Sequence, residues 1–306
     1  MNRKVFLRNA SAIVAASAVL PAWGKELISA KKSFFEISLA QWSLHKKLFA
    51  KEIDNLDFPA ITKKEFGINV VEYVNVFFKD KAENTEYLNE LLKRCKDNGV
   101  KNHLIMCDGE GDLGNADANA RAKAVENHYK WVNAAKYLGC ATISVNAAGR
   151  GTAAEVSDAA AEGLAKLGDY AAKEKINVIV ENHGGYSSDG SWLSGVMKKV
   201  NKSNVGTLPD FGNFCIRRDG NKCAEEYDRY KGTKELMPFA KGVSAKSYNF
   251  DEKGNCIETD YNKILKIVKD SGFKGYVGIE YEGSALSESE GILKTKALLE
   301  RIQKAM

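Results

Sequence analysis

Residues 176–185 read INVIVENHGG. Four of the first five residues, Ile176, Val178, Ile179 and Val180, are apolar, and the last three of them are consecutive with no polar residue between. A strand with one wet face alternates, whereas a parallel strand covered on both faces reads as a continuous apolar run. The run then ends abruptly in Glu181, Asn182 and His183, followed by Gly184 and Gly185. A buried strand therefore carries a carboxylate, an amide and an imidazole at its C-terminal end.

The pattern recurs along the chain. Runs rich in β-branched and aromatic residues stand at 34–41, 68–74, 101–107, 141–146, 205–210, 240–247 and 275–281. Segments with helical spacing lie between them. One opens at Phe58-Pro59 with Asp57 as its cap, and others are read over 84–98, 115–138, 152–173, 189–200, 222–236, 259–270 and 287–304, with Gly99 and Gly139 as stops. Eight strands, each followed by a helix, predict an α/β fold of the (β/α)8 TIM-barrel kind. A doubly wound open sheet would want a glycine-rich phosphate turn after its first strand, and QWSLHKKLF at 41–49 has no glycine. With no linker and no second compositional region, residues 33–306 read as one domain.

The apolar fraction of 44% and the charged fraction of 28% are those of an ordinary globular chain. The formal charge of +5 owes three of its cations to Arg3, Lys4 and Arg8; beyond residue 24, 42 basic residues face 40 acidic ones. That balance is no electrostatic footprint for nucleic acid. Residues 1–24, a basic start and an Ala- and Val-rich run ending in small residues, read as an export signal, too short for a good membrane span. Arg3–Arg8 resembles a twin-arginine signal with Lys4 in place of the second Arg. This predicts an exported, periplasmic protein with no membrane attachment after signal removal. The six cysteines form no C-x-x-C pair. Cys215 and Cys223 are near enough to close a small loop, but so few cysteines are no disulfide framework, and buried free thiols are the preferred reading.

Active sites of such barrels lie at the C-terminal ends of the strands. Glu181, Asp210 and Glu280 stand there on separate strands, as do Glu72, Asn75, Asn146 and Asp108. Three converging carboxylates repel, and burying them is costly unless a cation intervenes. An oxygen-rich set points to Mn, Mg or Co, with Zn ranked behind.

The series E181-N-H, D210-F-G-N, V-S-A-K246 and Y-V-G-I-E280 resembles the xylose isomerase-like TIM-barrel family, often labelled sugar phosphate isomerase/epimerase. The resemblance spans roughly residues 34–304. It implies a divalent metal held by Glu181, Asp210 and Glu280. It also implies proton abstraction beside a carbonyl, through an enediolate, by Glu181 and Glu280. Lys246 would stabilise the oxyanion or pair with Glu280 or Glu282. The family's strand-seven ligand is the His of H-x-K, and Ser244 stands in its place. His183, Asn182, Asn213, Glu72 and Glu282 are the expected substrate contacts, with Glu282 as the alternative to Glu280. Arg150 and Arg217, in the loops after strands four and six, could bind a substrate hydroxyl or carboxylate, although such loop arginines are more often solvated; Trp42, His45 and Phe78, near the mouth, could stack on a sugar face or pack a lid.

The implied activity is a sugar isomerase or epimerase, and export favours an unphosphorylated sugar, keto-sugar or glycoside as substrate. A keto-glycoside lyase using the same base and metal, or a non-catalytic sugar-binding barrel, are the alternatives. Endonuclease IV shares the barrel but needs many His ligands, and this chain has four His and no basic surplus. The expected partner is a small carbohydrate; homo-oligomerisation is left open.

Overall fold

In the computed structural model, which describes residues 33–306, the apolar runs become eight parallel strands. They are β1 (Phe35–Ala40), β2 (Val70–Val74), β3 (Lys101–Met106), β4 (Thr142–Val145), β5 (Asn177–Glu181), β6 (Val205–Leu208), β9 (Val243–Ser247) and β10 (Gly275–Tyr281). Their order in the sheet is β6-β5-β4-β3-β2-β1-β10-β9. The remaining seam, β6 against β9, is closed by two parallel bridges, Thr207 with Ala240 and Asp210 with Ser244. The result is a nearly closed TIM barrel. The proposed export signal at 1–24 lies outside the described residues.

Helices follow the strands and pack around them: α1 (His45–Phe49), α2 (Phe58–Phe66), α3 (Thr85–Asn98), α4 (Ala118–Leu138), α5 (Ala153–Lys173), α6 (Gly190–Val200), α7 (Arg229–Leu236), α8 (Tyr261–Asp270) and α9 (Glu288–Ala305). Their ends are set by local chemistry. Thr152 with Glu155 and Ser287 with Glu290 form reciprocal capping boxes at α5 and α9. The larger core fills the space between sheet and helices, with Trp131, Tyr73, Phe58 and Leu164 fully enclosed. A smaller cluster of Ala40, Val74, Leu104, Met106, Ile179 and Leu208 fills the barrel interior.

Two expectations fail in one place. The helix read over 222–236 begins only at Arg229. Before it runs an antiparallel hairpin, β7 (Cys215–Asp219) against β8 (Lys222–Glu226). Gly220 has φ 57°, the left-handed turn geometry that such a connection needs. Cys215 and Cys223 are joined across this hairpin, so the free-thiol reading is corrected for that pair. Cys95, Cys107, Cys140 and Cys256 are free and buried. No helix among the described residues is long and apolar enough to cross a membrane.

Candidate active site

Glu181 ends β5, Asp210 lies two residues past β6, and Glu280 is the penultimate residue of β10. Successive strand side chains alternate, so these three share the inward face at the barrel's C-terminal mouth. One carboxylate oxygen from each lies within 4.8 Å of the others. Asp210 is fully buried, and Glu280 and Glu181 are nearly so.

Each carboxylate is held differently. Oδ1 of Asp210 accepts hydrogen bonds from the backbone N–H groups of Gly212 and Asn213, both at 2.8 Å. Glu280 is gripped at both oxygens: Oε1 accepts from Lys246 Nζ at 2.6 Å and Oε2 from Ser244 Oγ at 2.9 Å. Glu181 accepts from Asn213 Nδ2 at 2.9 Å through Oε1 and lines the cavity. Glu181 thus has the fewest hydrogen-bond partners of the three.

Ser244, in the position where the resemblance expects His, sits between two carboxylates. Its Oγ is 2.6 Å from Asp210 Oδ2 and 2.9 Å from Glu280 Oε2. A hydroxyl has one proton to donate and cannot serve both carboxylates at full strength. Proton uptake by the cluster relieves that conflict, and the electrostatics agree. Burial pushes the Asp210 carboxyl up to about 6, with Lys246 opposing and Glu280 adding to the rise. Burial, then Glu280 and Asp210, drive Glu181 well above the usual carboxylate range.

Lys246 is the cation inside this cluster. Burial disfavours its charge, but Glu280, Asp210, Glu282 and Glu181 outweigh that and hold it protonated. Its Nζ also lies 3.2 Å from Glu282 Oε2. The stem passes under Gly212, where a Cβ would stand 2.7 Å from Lys246 Cγ, so only glycine fits there. Lys246 is 2% exposed and is not a wall of the cavity. Of the two roles left open for it, the ion pair is the one with contacts; Lys246 positions Glu280 and Glu282.

The donor set is all oxygen, and three carboxylates with Glu282 beside them face one ammonium. Such a set suits a hard divalent cation such as Mn or Mg better than a thiophilic one. Ser244 adds a neutral oxygen where imidazole would have supplied nitrogen. The residues therefore fit an oxygen-ligated divalent ion, which would be held by Glu181, Asp210 and Glu280.

The other expected contacts separate. His183 is exposed and lines the cavity, as does Glu282, which also accepts a hydrogen bond from Trp42 Nε1. Trp42 stacks on His45, with ring centroids 5.0 Å apart. Asn182 is fully buried and turned away from the cavity. Its amide bonds Asp210 N at 2.7 Å and the carbonyls of Asp210 and Asn213, fixing the loop that carries Asp210. Asn213 supports Glu181. Glu72 is not among the residues that line the cavity. It lies inside the barrel, bonded to Ser38 Oγ at 2.5 Å, and its Oε2 has no hydrogen-bond partner. Burial pushes its carboxyl up to about 7. Asp108, not assigned a role from sequence, lines the cavity and accepts from Asn146 Nδ2 at 2.7 Å. Its signal was its place after β3, on the rule already used for Asp210.

The Asp210 shift has a measurable consequence in metal-free protein. A carboxyl raised from 3.8 to about 6 binds more protons folded than unfolded. Its stabilisation is complete below the unfolded value and is lost as pH rises through the folded one. Wild type minus Asp210→Asn, measured by urea unfolding in chelator, is expected to favour wild type increasingly from pH 7 to pH 4, by roughly 3 kcal/mol at most. A pH-independent difference would refute the assignment.

The sequence profile described as xylose isomerase-like TIM barrel matches residues 63–304. Among solved structures, a sugar phosphate isomerase/epimerase from Parabacteroides distasonis is 17% identical with a TM-score of 0.67, covering 94% of this chain and 99% of that one. An L-ribulose 3-epimerase is 15% identical with a TM-score of 0.67, covering 88% and 94%. A xylose isomerase-like TIM-barrel protein from Mycobacterium smegmatis, in complex with magnesium, is 16% identical with a TM-score of 0.65, covering 88% and 97%. At these identities the likeness speaks for the fold. No curated protein sequence matches the chain.

Proposed function

The chain belongs to the xylose isomerase-like TIM-barrel family, and on that footing we propose that it is a divalent-metal-dependent sugar isomerase or epimerase. The carrying observation is the convergence of Glu181, Asp210 and Glu280 within 4.8 Å at the C-terminal mouth of the barrel. Magnesium in one fold relative and sugar epimerase activity in another support the reading. When bound, a divalent ion supplies Lewis-acid stabilisation of negative charge on substrate oxygens.

The chain's own residues divide the remaining work. Glu181 faces the cavity with a raised proton affinity and is the group that takes a proton from the carbon beside the substrate carbonyl. Glu280 is pinned by Lys246 and Ser244 and must loosen one of those contacts to return a proton; its first role is as a fixed negative ligand. Lys246 balances the charge of Glu280 and Glu282. His183, Glu282 and Asp108 offer hydrogen-bonding groups to sugar hydroxyls. Export through the signal at 1–24 would place the enzyme in the periplasm and favours an unphosphorylated substrate.

Isomerisation, epimerisation and elimination all begin with the same proton abstraction. The test is exchange of that proton for deuterium, read by NMR on a panel of keto-hexoses and keto-pentoses with Mn²⁺-loaded protein in D₂O. Calorimetry first establishes that Mn²⁺ binds at one site. Exchange beside the carbonyl of one panel member is the expected result. No exchange across the panel by folded, Mn²⁺-loaded protein would leave a sugar-binding barrel, and no Mn²⁺ binding would refute the metal-dependent reaction itself.

A further inference from the structure

Two further spaces stand near the cavity at the carboxylates. The space beside Glu181 and Glu280 measures ≈ 120 Å³. Asn146 and His183 form part of its wall and also wall a second space of ≈ 230 Å³. Ala148, Gly184 and Ser187 are in turn shared with a third of ≈ 510 Å³, which reaches the hairpin β7–β8. The three spaces are therefore neighbours with common walls, and most of the room lies outward from the carboxylates.

The outer space is built from a few distinctive groups. Part of its lining is small residues, at 147–149 and 184–185. One wall is Tyr186, whose ring lies 5.8 Å from that of Trp192 in a stacked arrangement and whose hydroxyl donates to the Gly151 carbonyl at 2.9 Å. The ring is thus oriented before any ligand arrives, which lowers the entropic cost of binding. The other wall is the hairpin: Ile216, and Arg217 with Glu225 at 3.6 Å. An aromatic ring, a lining of small residues and an adjacent pair of charges match a ring that is apolar on its C–H faces and hydroxylated at its edge. The disulfide Cys215–Cys223 ties the two hairpin strands and so fixes that wall.

We propose that the outer cavity is a second ring subsite and that the protein takes glycosides, one ring at the carboxylate cluster and the next against Tyr186 beneath the hairpin. This rests on the sugar-handling reading of the cluster. It also gives Arg217 a function, that of reading hydroxyls on the outer ring.

The experiment is calorimetric titration of the full protein with matched ligands: D-glucose and methyl β-D-glucoside against cellobiose, maltose and p-nitrophenyl β-D-glucoside. At least one two-ring ligand is expected to bind tenfold or more tightly than its one-ring counterpart. A gain with the disaccharides assigns the outer ring as a sugar. A gain with the nitrophenyl glycoside alone would overturn the hydroxyl-reading role of Arg217 and with it the proposal. Tyr186→Ala is expected to remove the gain. Because Tyr186 also packs on Trp192, the exposed-hairpin variant Arg217→Ala serves as a second probe, expected to reduce the disaccharide gain at least threefold at unchanged Tm. Equal affinities for one and two rings, or no binding by either, overturn the proposal. Metal binding and deuterium exchange on keto-sugars are read separately. Exchange without a two-ring gain sinks the subsite alone, and a Tyr186-dependent gain without exchange sinks the reaction alone.

Discussion

Glu181→Gln is expected to lower proton exchange by about 10³-fold, within the 10²–10⁴ range typical of a removed general base, while leaving the protein as stable as wild type or more so. Gln is isosteric, and its Oε1 can accept the same hydrogen bond from Asn213 Nδ2 that Glu181 Oε1 accepts at 2.9 Å. The substitution deletes a charge that burial and two neighbouring carboxylates already disfavour, so folding loses nothing by it. Exchange should be measured at saturating Mn²⁺, because the variant also gives up an anionic metal ligand. Glu280→Gln makes the informative comparison: it loses activity too, but it leaves Lys246 and Ser244 without their carboxylate partner, and its Tm falls. A Glu181→Gln protein that exchanges within tenfold of wild type would mean that the base is another group. Asp108, which shares the cavity, would be examined next.

These expectations follow from strand ends, and strand ends were readable in the chain. Runs such as 178–180 and 277–279 are apolar without alternation because helices cover one face of the sheet and the barrel interior the other. Their first polar residues therefore mark the mouth. Height along the barrel was not readable. Alternation says that Glu72 points inward, but only packing shows that it sits two residues below Val74, against Ser38, and out of reach of the cavity. The hairpin was obscured by composition. KCAEE at 222–226 is rich in helix formers, and what overrides them is the turn at Gly220-Asn221 and the cross-strand disulfide. Gly-Asn between two cysteines eight residues apart was the available signal. Ser244 was legible as a departure from the family pattern. Its place between two carboxylates was not, because it depends on the seam that joins Asp210 to Ser244.

Lys246→Met is expected to destabilise the metal-free protein at pH 7.5 by about 3–5 kcal/mol, the usual result of removing one partner of a buried ion pair. At about 2–4 °C per kcal/mol for a domain of this size, Tm falls by roughly 10 °C. Met fills the space of the stem beneath Gly212, so lost packing contributes little. The loss is electrostatic: Glu280 keeps its buried charge without the ammonium 2.6 Å away, and Glu282 loses the contact at 3.2 Å. The pH dependence identifies the cause. Removing the cation raises the proton affinity of the remaining carboxylates, so the folded variant takes up protons that its unfolded chain does not hold at the same pH. Its deficit against wild type should therefore shrink as pH falls from about 7 toward 5. Saturating Mn²⁺ should shrink it as well, since a divalent ion among Glu181, Asp210 and Glu280 supplies the missing positive charge. Pairing the change with Glu280→Gln should cost less than the sum of the two single variants, because each removes what the other leaves unpaired. A Lys246→Met protein melting within 2 °C of wild type at pH 7.5 would show that the cluster is already neutralised by bound protons. Lys246 would then no longer be what holds Glu280 in place.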